Sequence, residues 1–305
     1  MEKSVRNQLQ AACNITYSIP GLKELPARYR KNTPYTDAGF IDGFSLFTGG
    51  PGDIDVGLIG MADFGRKKLF KHRYDVLIAF RGTVGILDWL NDCRANQVDS
   101  PFSKGKVHQG FLNSVKNLEE PILNKLDELM LEYPDAMIYI TGHSKGGALA
   151  TLMGFCVLSR HKDYLKRIKI ATFGSPRVGD SDFCDDYPFE HYRYESFLDL
   201  VPHLSFSEQE SSLLINETNF FKKHPAIRDF LHLPPYKHVG KRRVFKQMKK
   251  QPHLHKHSDL PVETDDHSLE TLNSFQSIVA VMDIHTLEAI VDAHVFDYDD
   301  MPDDL

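Results

Sequence analysis

Cysteine is scarce in this 305-residue sequence and tryptophan almost missing, with four of the first and one of the second. Cys13, Cys93, Cys156 and Cys184 lie far apart and form no CxxC pair, so no zinc-binding or dithiol-redox pattern is present. Scattered cysteines in a long chain are expected to be free and buried. No run of about 18 apolar residues occurs, and no transmembrane helix is expected. The opening residues, MEKSVRNQLQAACNITY, hold no apolar core of signal-peptide length. A cytoplasmic protein is therefore the default expectation, with signal-independent secretion left open. A dominant charge is also lacking. The 36 basic and 42 acidic residues leave a net charge of -6, which gives no global argument for nucleic-acid binding. No internal repeat is visible.

What is present reads as a globular protein, with 41% hydrophobic and 26% charged residues. The length suits one large α/β domain, here taken as residues 1–296, followed by an acidic tail, DYDDMPDDL, at 297–305. Residues 1–40 read as a helical lead-in with irregular structure. Residues 55–61 are a candidate strand. Residues 75–80, DVLIAF, form a compact apolar run that suits a strand buried on both faces. Val115, Leu118, Ile122, Leu126, Leu129 and Met130 recur at three- and four-residue steps and predict an amphipathic helix over 115–132. Pro121 marks either a kink or the first turn of that helix. Short apolar strands are expected at 137–140, 168–173 and 192–197, with a buried helix at 148–158. Alternating strands and helices predict a parallel sheet with crossover helices. Residues 205–235 and 247–262 read as irregular.

The segment from Ile138 to Ala150 contains Gly142-His143-Ser144-Lys145-Gly146 between an apolar strand and an apolar helix. This G-x-S-x-G spacing has a mechanical reason. A sharp strand-to-helix turn presents the serine oxygen at the carboxyl edge of the sheet, and the glycines let strand and helix pass closely. The helix amino terminus adds N–H groups and a positive dipole end. A serine is a weak nucleophile at neutral pH, so the chemistry also requires a base, a group that orients the base, and donors for an oxyanion.

Five segments resemble the class 3 lipases, the family that includes the filamentous-fungal lipases. They are Ala79-Phe-Arg-Gly-Thr83 with Asp88-Trp-Leu90, Val107-His-Gln-Gly-Phe111, Thr141-Gly-His-Ser-Lys-Gly-Gly147, Thr172-Phe-Gly-Ser-Pro-Arg-Val-Gly179 and Asp199-Leu-Val-Pro-His203. A weaker match continues through Tyr236-Lys-His-Val-Gly240 and Asp266-His-Ser-Leu-Glu270. The resemblance implies an α/β-hydrolase fold and hydrolysis of lipid esters by a Ser-Asp-His triad through an acyl-enzyme. It further implies no metal or other cofactor, and a lid that swings away at a lipid surface. Triacylglycerol lipase, carboxylesterase and phospholipase activities share this machinery, and a non-catalytic lipase-like binding protein is the alternative of another class.

On this reading Ser144 is the nucleophile and Asp199 the acid. His267 resembles the family's late histidine. His285, in a similar Ile-His-Thr-Leu-Glu setting, is its chief rival, with His238 and His257 behind. His143 and His108 are expected to be structural. The oxyanion donors are the backbone N–H groups of Lys145 and of Thr83, in the loop after an earlier strand. Residues 84–92 hold the expected lid, with Ile86, Leu87, Trp89 and Leu90 as its apolar face. Lys145 departs from the family's leucine. Its cation either favours anionic or phosphate-bearing substrates or, the simpler expectation, faces solvent. His253, His255 and His257 alternate as metal ligands on an extended segment can, although a solvated loop explains them more simply. Residues 241–250, KRRVFKQMKK, could touch anionic lipid headgroups, and surface charge is the plainer expectation.

Overall fold

The computed structural model describes residues 1–19, 35–68, 71–83, 97–196, 199, 201–203 and 236–245. Seven strands form one sheet: β1 (Ser45–Gly49), β2 (Asp55–Ala62), β3 (Asp75–Phe80), β4 (Ile138–His143), β5 (Ile168–Phe173), β6 (Glu190–Ser196) and β7 (Lys241–Phe245). They lie side by side in chain order. β1 and β2 run antiparallel to their neighbours, and β3 through β7 are mutually parallel. This is the α/β-hydrolase fold, with a mainly parallel central sheet flanked by helices.

The alternation of side chains divides the core into two layers. On β3, Val76, Ile78 and Phe80 join one apolar cluster, while Leu77 and Ala79 join the other. On β4, Ile138 and Ile140 side with the first cluster and Tyr139 with the second. The first cluster is closed by α2 (Gln109–Glu132) and α3 (Lys145–Arg160). The second is closed by α1 (Lys3–Ser18), which presents Val5, Leu9, Ala12 and Ile15 to the sheet. With both faces covered, β2 and β3 are buried at every position, including the aspartates that open them, Asp55 and Asp75, and the run after each is apolar or glycine.

α2 begins six residues before the hydrophobic periodicity predicts. The His108 side chain caps it by accepting from the Phe111 N–H at 3.3 Å, and its ring stacks on Phe111. Pro121 therefore lies deep within the helix and not in its first turn. Proline has no N–H to offer the Asn117 carbonyl one turn earlier. That carbonyl sits against Gly49 of β1, where a Cβ would approach its oxygen to 2.9 Å. β1 and β7 are strands not predicted from the sequence. Cys13 and Cys156 are free and buried as expected, whereas free Cys184 is only half-buried. The expected acidic tail, the irregular segments at 205–235 and 247–262, and Cys93 lie outside the described residues.

Candidate active site

β4 is buried through Gly142 and ends at His143, and α3 starts at Lys145, so a single residue makes the turn. That residue, Ser144, has φ 57° and ψ -132°. A non-glycine side chain pays roughly 1–3 kcal/mol to occupy such a region, and conformations of this kind cluster at functional sites. The surrounding structure holds the turn in place. Ser144 N–H donates to the Phe173 carbonyl at 2.9 Å, and its own carbonyl accepts from Gly147 N–H at 2.9 Å. A Cβ on Gly142 would lie 2.1 Å from the Gly146 carbonyl oxygen, and one on Gly146 would lie 2.3 Å from the Phe80 carbonyl oxygen. Both flanking glycines of the motif are therefore steric requirements. Ser144 is buried, and its hydroxyl has no hydrogen-bond partner among the described residues.

The loop after β3 runs directly across this turn. A Cβ placed on Gly82 would come within 2.9 Å of the Ser144 Cβ and 2.6 Å of the His143 carbonyl oxygen. Gly82, the residue before Thr83, therefore borders the nucleophile turn. Tyr17, at the end of α1, fastens both pieces. Its hydroxyl lies 3.0 Å from His143 Nδ1 and makes a backbone hydrogen bond at Gly82. Burial pushes the Tyr17 hydroxyl far above its ordinary range, which keeps it neutral.

Asp199 is fully buried just beyond the end of β6, two strands along the sheet from Ser144 and at the same carboxyl edge. One of its oxygens accepts from the Val201 N–H at 2.9 Å, and its own N–H donates to the Ser196 carbonyl. Upstream, Glu195 is buried between Arg193 and Arg242, which hold its carboxyl well below the usual carboxylate range against the opposing effect of burial. His238 Nε2 lies 2.6 Å from the Pro202 carbonyl and 3.7 Å from Glu195, so it braces the turn that carries Asp199. Arg242 belongs to the basic stretch expected to be surface charge, yet it is buried in this network.

The lysine at residue 145 does not face solvent. Its side chain is 13% exposed, and its Nζ lies 2.8 Å from a carboxylate oxygen of Asp55, itself 2% exposed. The charge is spent inside the fold because β2 presents a buried carboxylate that needs a counter-ion. The cation therefore gives no free charge to a phosphate-bearing substrate.

His143 and His108 play the structural parts expected of them, through Tyr17 and through the α2 cap. Burial pushes His108 down to about 4, with Lys145 adding to the shift. His191, held between Thr172 Oγ1 and the Tyr187 hydroxyl, is pushed down to about 3 by burial and by Arg193 and His238. Both rings are neutral in the folded chain, while an unfolded histidine titrates near 6.5. Between these values the unfolded state binds more protons, so stability rises with pH and is lost as pH falls below about 6.5. Urea unfolding at pH 7 and pH 5 is expected to show about 2 kcal/mol lost for each ring. In His108→Asn, which can still cap α2, the pH dependence is expected to shrink by one ring's share. An unchanged slope would mean that His108 is not buried neutral.

His267, His285 and His257 lie outside the described residues, as do His253 and His255. So do Ile86, Leu87, Trp89 and Leu90 of the expected lid. Two contributors were missed in the sequence, Tyr17 and Asp55. Only the oddity of a carboxylate opening a fully buried strand could have signalled the second.

Residues 77–209 match the family model described as Lipase (class 3). A lipase of Rhizomucor miehei is 32% identical over 134 residues, 42% of this chain and 37% of that protein. Phospholipase A1-II 1 of Oryza sativa subsp. indica is 31% identical over 189 residues, 53% of this chain and 48% of that protein. The chain thus spans less than half the length of either relative. Among solved structures, a mutant form of MDLA from Penicillium cyclopium superposes with a TM-score of 0.62 at 20% identity, covering 98% of this chain and 96% of that one. Over residues 77–209 the chain is thus similar to the class 3 lipases, and its fold is shared with the Penicillium cyclopium structure.

Proposed function

We propose that the protein hydrolyses carboxylic esters of lipids through an acyl-enzyme formed on Ser144. The observation that carries this reading is the serine itself. It is the one residue between a buried strand and a buried helix, in a strained conformation, with its hydroxyl unpartnered among the described residues and Gly82 of the preceding loop alongside. In this mechanism Ser144 Oγ attacks the acyl carbonyl as His267 takes its proton, and Asp199 accepts a hydrogen bond from the resulting imidazolium. The N–H groups of Thr83 and Lys145 stabilise the oxyanion. The C–O bond to the alcohol breaks, and His267 returns the proton to the leaving oxygen. Water, deprotonated by the same imidazole, then cleaves the acyl-enzyme and releases the fatty acid.

Both a lipase and a phospholipase A1 stand among the relatives, so the substrate is read as a fatty-acyl ester of glycerol, reached through transient contact with a lipid surface. No helix among the described residues is long and apolar enough to cross a membrane. The test is fatty-acid release from tributyrin, long-chain triacylglycerol and phosphatidylcholine dispersions, followed by pH-stat titration. Release from at least one of these is expected. Failure on all three, and on soluble esters, would leave a binding role for the site instead.

A further inference from the structure

The buried pair Lys145–Asp55 is not needed for the triad, yet it lies at the point where the two arms of the oxyanion hole meet the sheet. One short stretch of β2 and its approach, Ile54 to Val56, holds both arms. The Arg81 N–H, two residues before Thr83, donates to the Val56 carbonyl at 3.0 Å, and the Arg81 guanidinium donates to the Ile54 carbonyl at 3.3 Å. On the other arm Lys145 Nζ donates to Asp55 Oδ1 at 2.8 Å. The second oxygen of Asp55 accepts from Asn117 Nδ2 of α2 at 3.0 Å and packs on Gly50, where a Cβ would approach it to 2.7 Å. The carboxylate is thus fixed from three sides. It in turn holds Lys145, the residue whose backbone N–H the hydrolase reading assigns to the oxyanion.

We propose that the Lys145–Asp55 ion pair is a positioning device for the oxyanion hole, tying the first turn of α3 to the same strand segment that anchors the Thr83 loop. The inference rests on the hydrolase reading above. Backbone hydrogen bonds hold the turn at Ser144 itself, and a shift of the following turn by a fraction of an ångström would still move the donor. A charged tether to a carboxylate already held by Asn117 restrains it, and donor placement within that range decides how well a tetrahedral oxyanion is stabilised. Two charges gain little stability when buried as a pair. The pair's selective advantage then lies in geometry.

The test uses Lys145→Met, Asp55→Asn and the double variant, with turnover of p-nitrophenyl butyrate normalised to the fraction of Ser144 labelled by a fluorophosphonate. Each single variant is expected to lose about tenfold in kcat with KM within about twofold, since the donor remains but drifts, whereas outright loss of a donor costs 10²–10³. The double variant is expected to be no worse than the poorer single one, because the two groups act as a unit. Affinity for an alkyl boronic acid, which forms a tetrahedral adduct on the serine, is expected to fall in step with kcat. A purely structural pair would lower the melting temperature and leave kcat per labelled site unchanged, and that result overturns the proposal. If Asp55→Asn does not fold, Lys145→Met carries the test alone, since it keeps every backbone donor and the Asn117 bond. Failure of the wild-type chain to label at Ser144 would remove the hydrolase reading together with this one. Normal labelling with unaffected variants would remove only the ion pair's role.

Discussion

Ser144→Ala is expected to lower the hydrolysis of p-nitrophenyl butyrate by at least about 10⁴, to the level of residual oxyanion-hole and binding effects. The size follows from the arrangement. No other described hydroxyl stands at the strand-to-helix turn, and the acyl-enzyme requires one oxygen to form a bond to the substrate. The same substitution is expected to leave the melting temperature equal or higher. Active-site residues are commonly held at a cost to stability, and removing this hydroxyl breaks no hydrogen bond to a described residue. Alanine keeps the Cβ, so the strain of the turn is unchanged while the buried polar atom is gone. Lost activity with unimpaired stability separates a nucleophile from a structural serine, and thermal melts beside the rate assay read both.

Asp199→Asn is expected to lower kcat/KM by about 10⁴ without unfolding the protein. The amide oxygen can still accept from the Val201 N–H, as Asp199 Oδ1 does at 2.9 Å, so the turn after β6 keeps its shape. What is lost is the negative charge and an acceptor for the histidine N–H. The imidazole then settles in the wrong tautomer, and the imidazolium of the transition state goes uncompensated. A loss below about tenfold, with the fold intact by circular dichroism, would move the acid elsewhere.

The nucleophile turn is legible in the sequence because all its causes are local. The apolar strand, the two glycines and the apolar helix occupy one continuous stretch, and each constrains the backbone within a few residues. Asp199 stands out in the sequence by its place just ahead of Val201-Pro202, where the class 3 lipase resemblance puts an acid, and the structure shows it fully buried after β6. The supports are not local. Tyr17 reaches His143 from a helix far away in the chain, and nothing in its helical periodicity marks it. Asp55 meets Lys145 only because β2 and α3 are brought together by the sheet. The true start of α2 is not legible because His108 caps through a ring nitrogen, a contribution that a pattern of apolar spacing does not record. β7 is not legible because Lys241-Arg-Arg243 reads as solvated charge, whereas Arg242 turns inward to Glu195. Residue type predicts burial well for apolar side chains and poorly for ions that find a counter-ion.

The most direct measurement is mass-spectrometric mapping of the chain after brief exposure to a fluorophosphonate, with the wild type, His267→Ala and His285→Ala treated side by side. The account predicts a single modified peptide carrying the adduct on residue 144, with labelling slowed severely in His267→Ala and little in His285→Ala. An unmodified Ser144 in folded wild-type protein, or an adduct on a different serine, would contradict it.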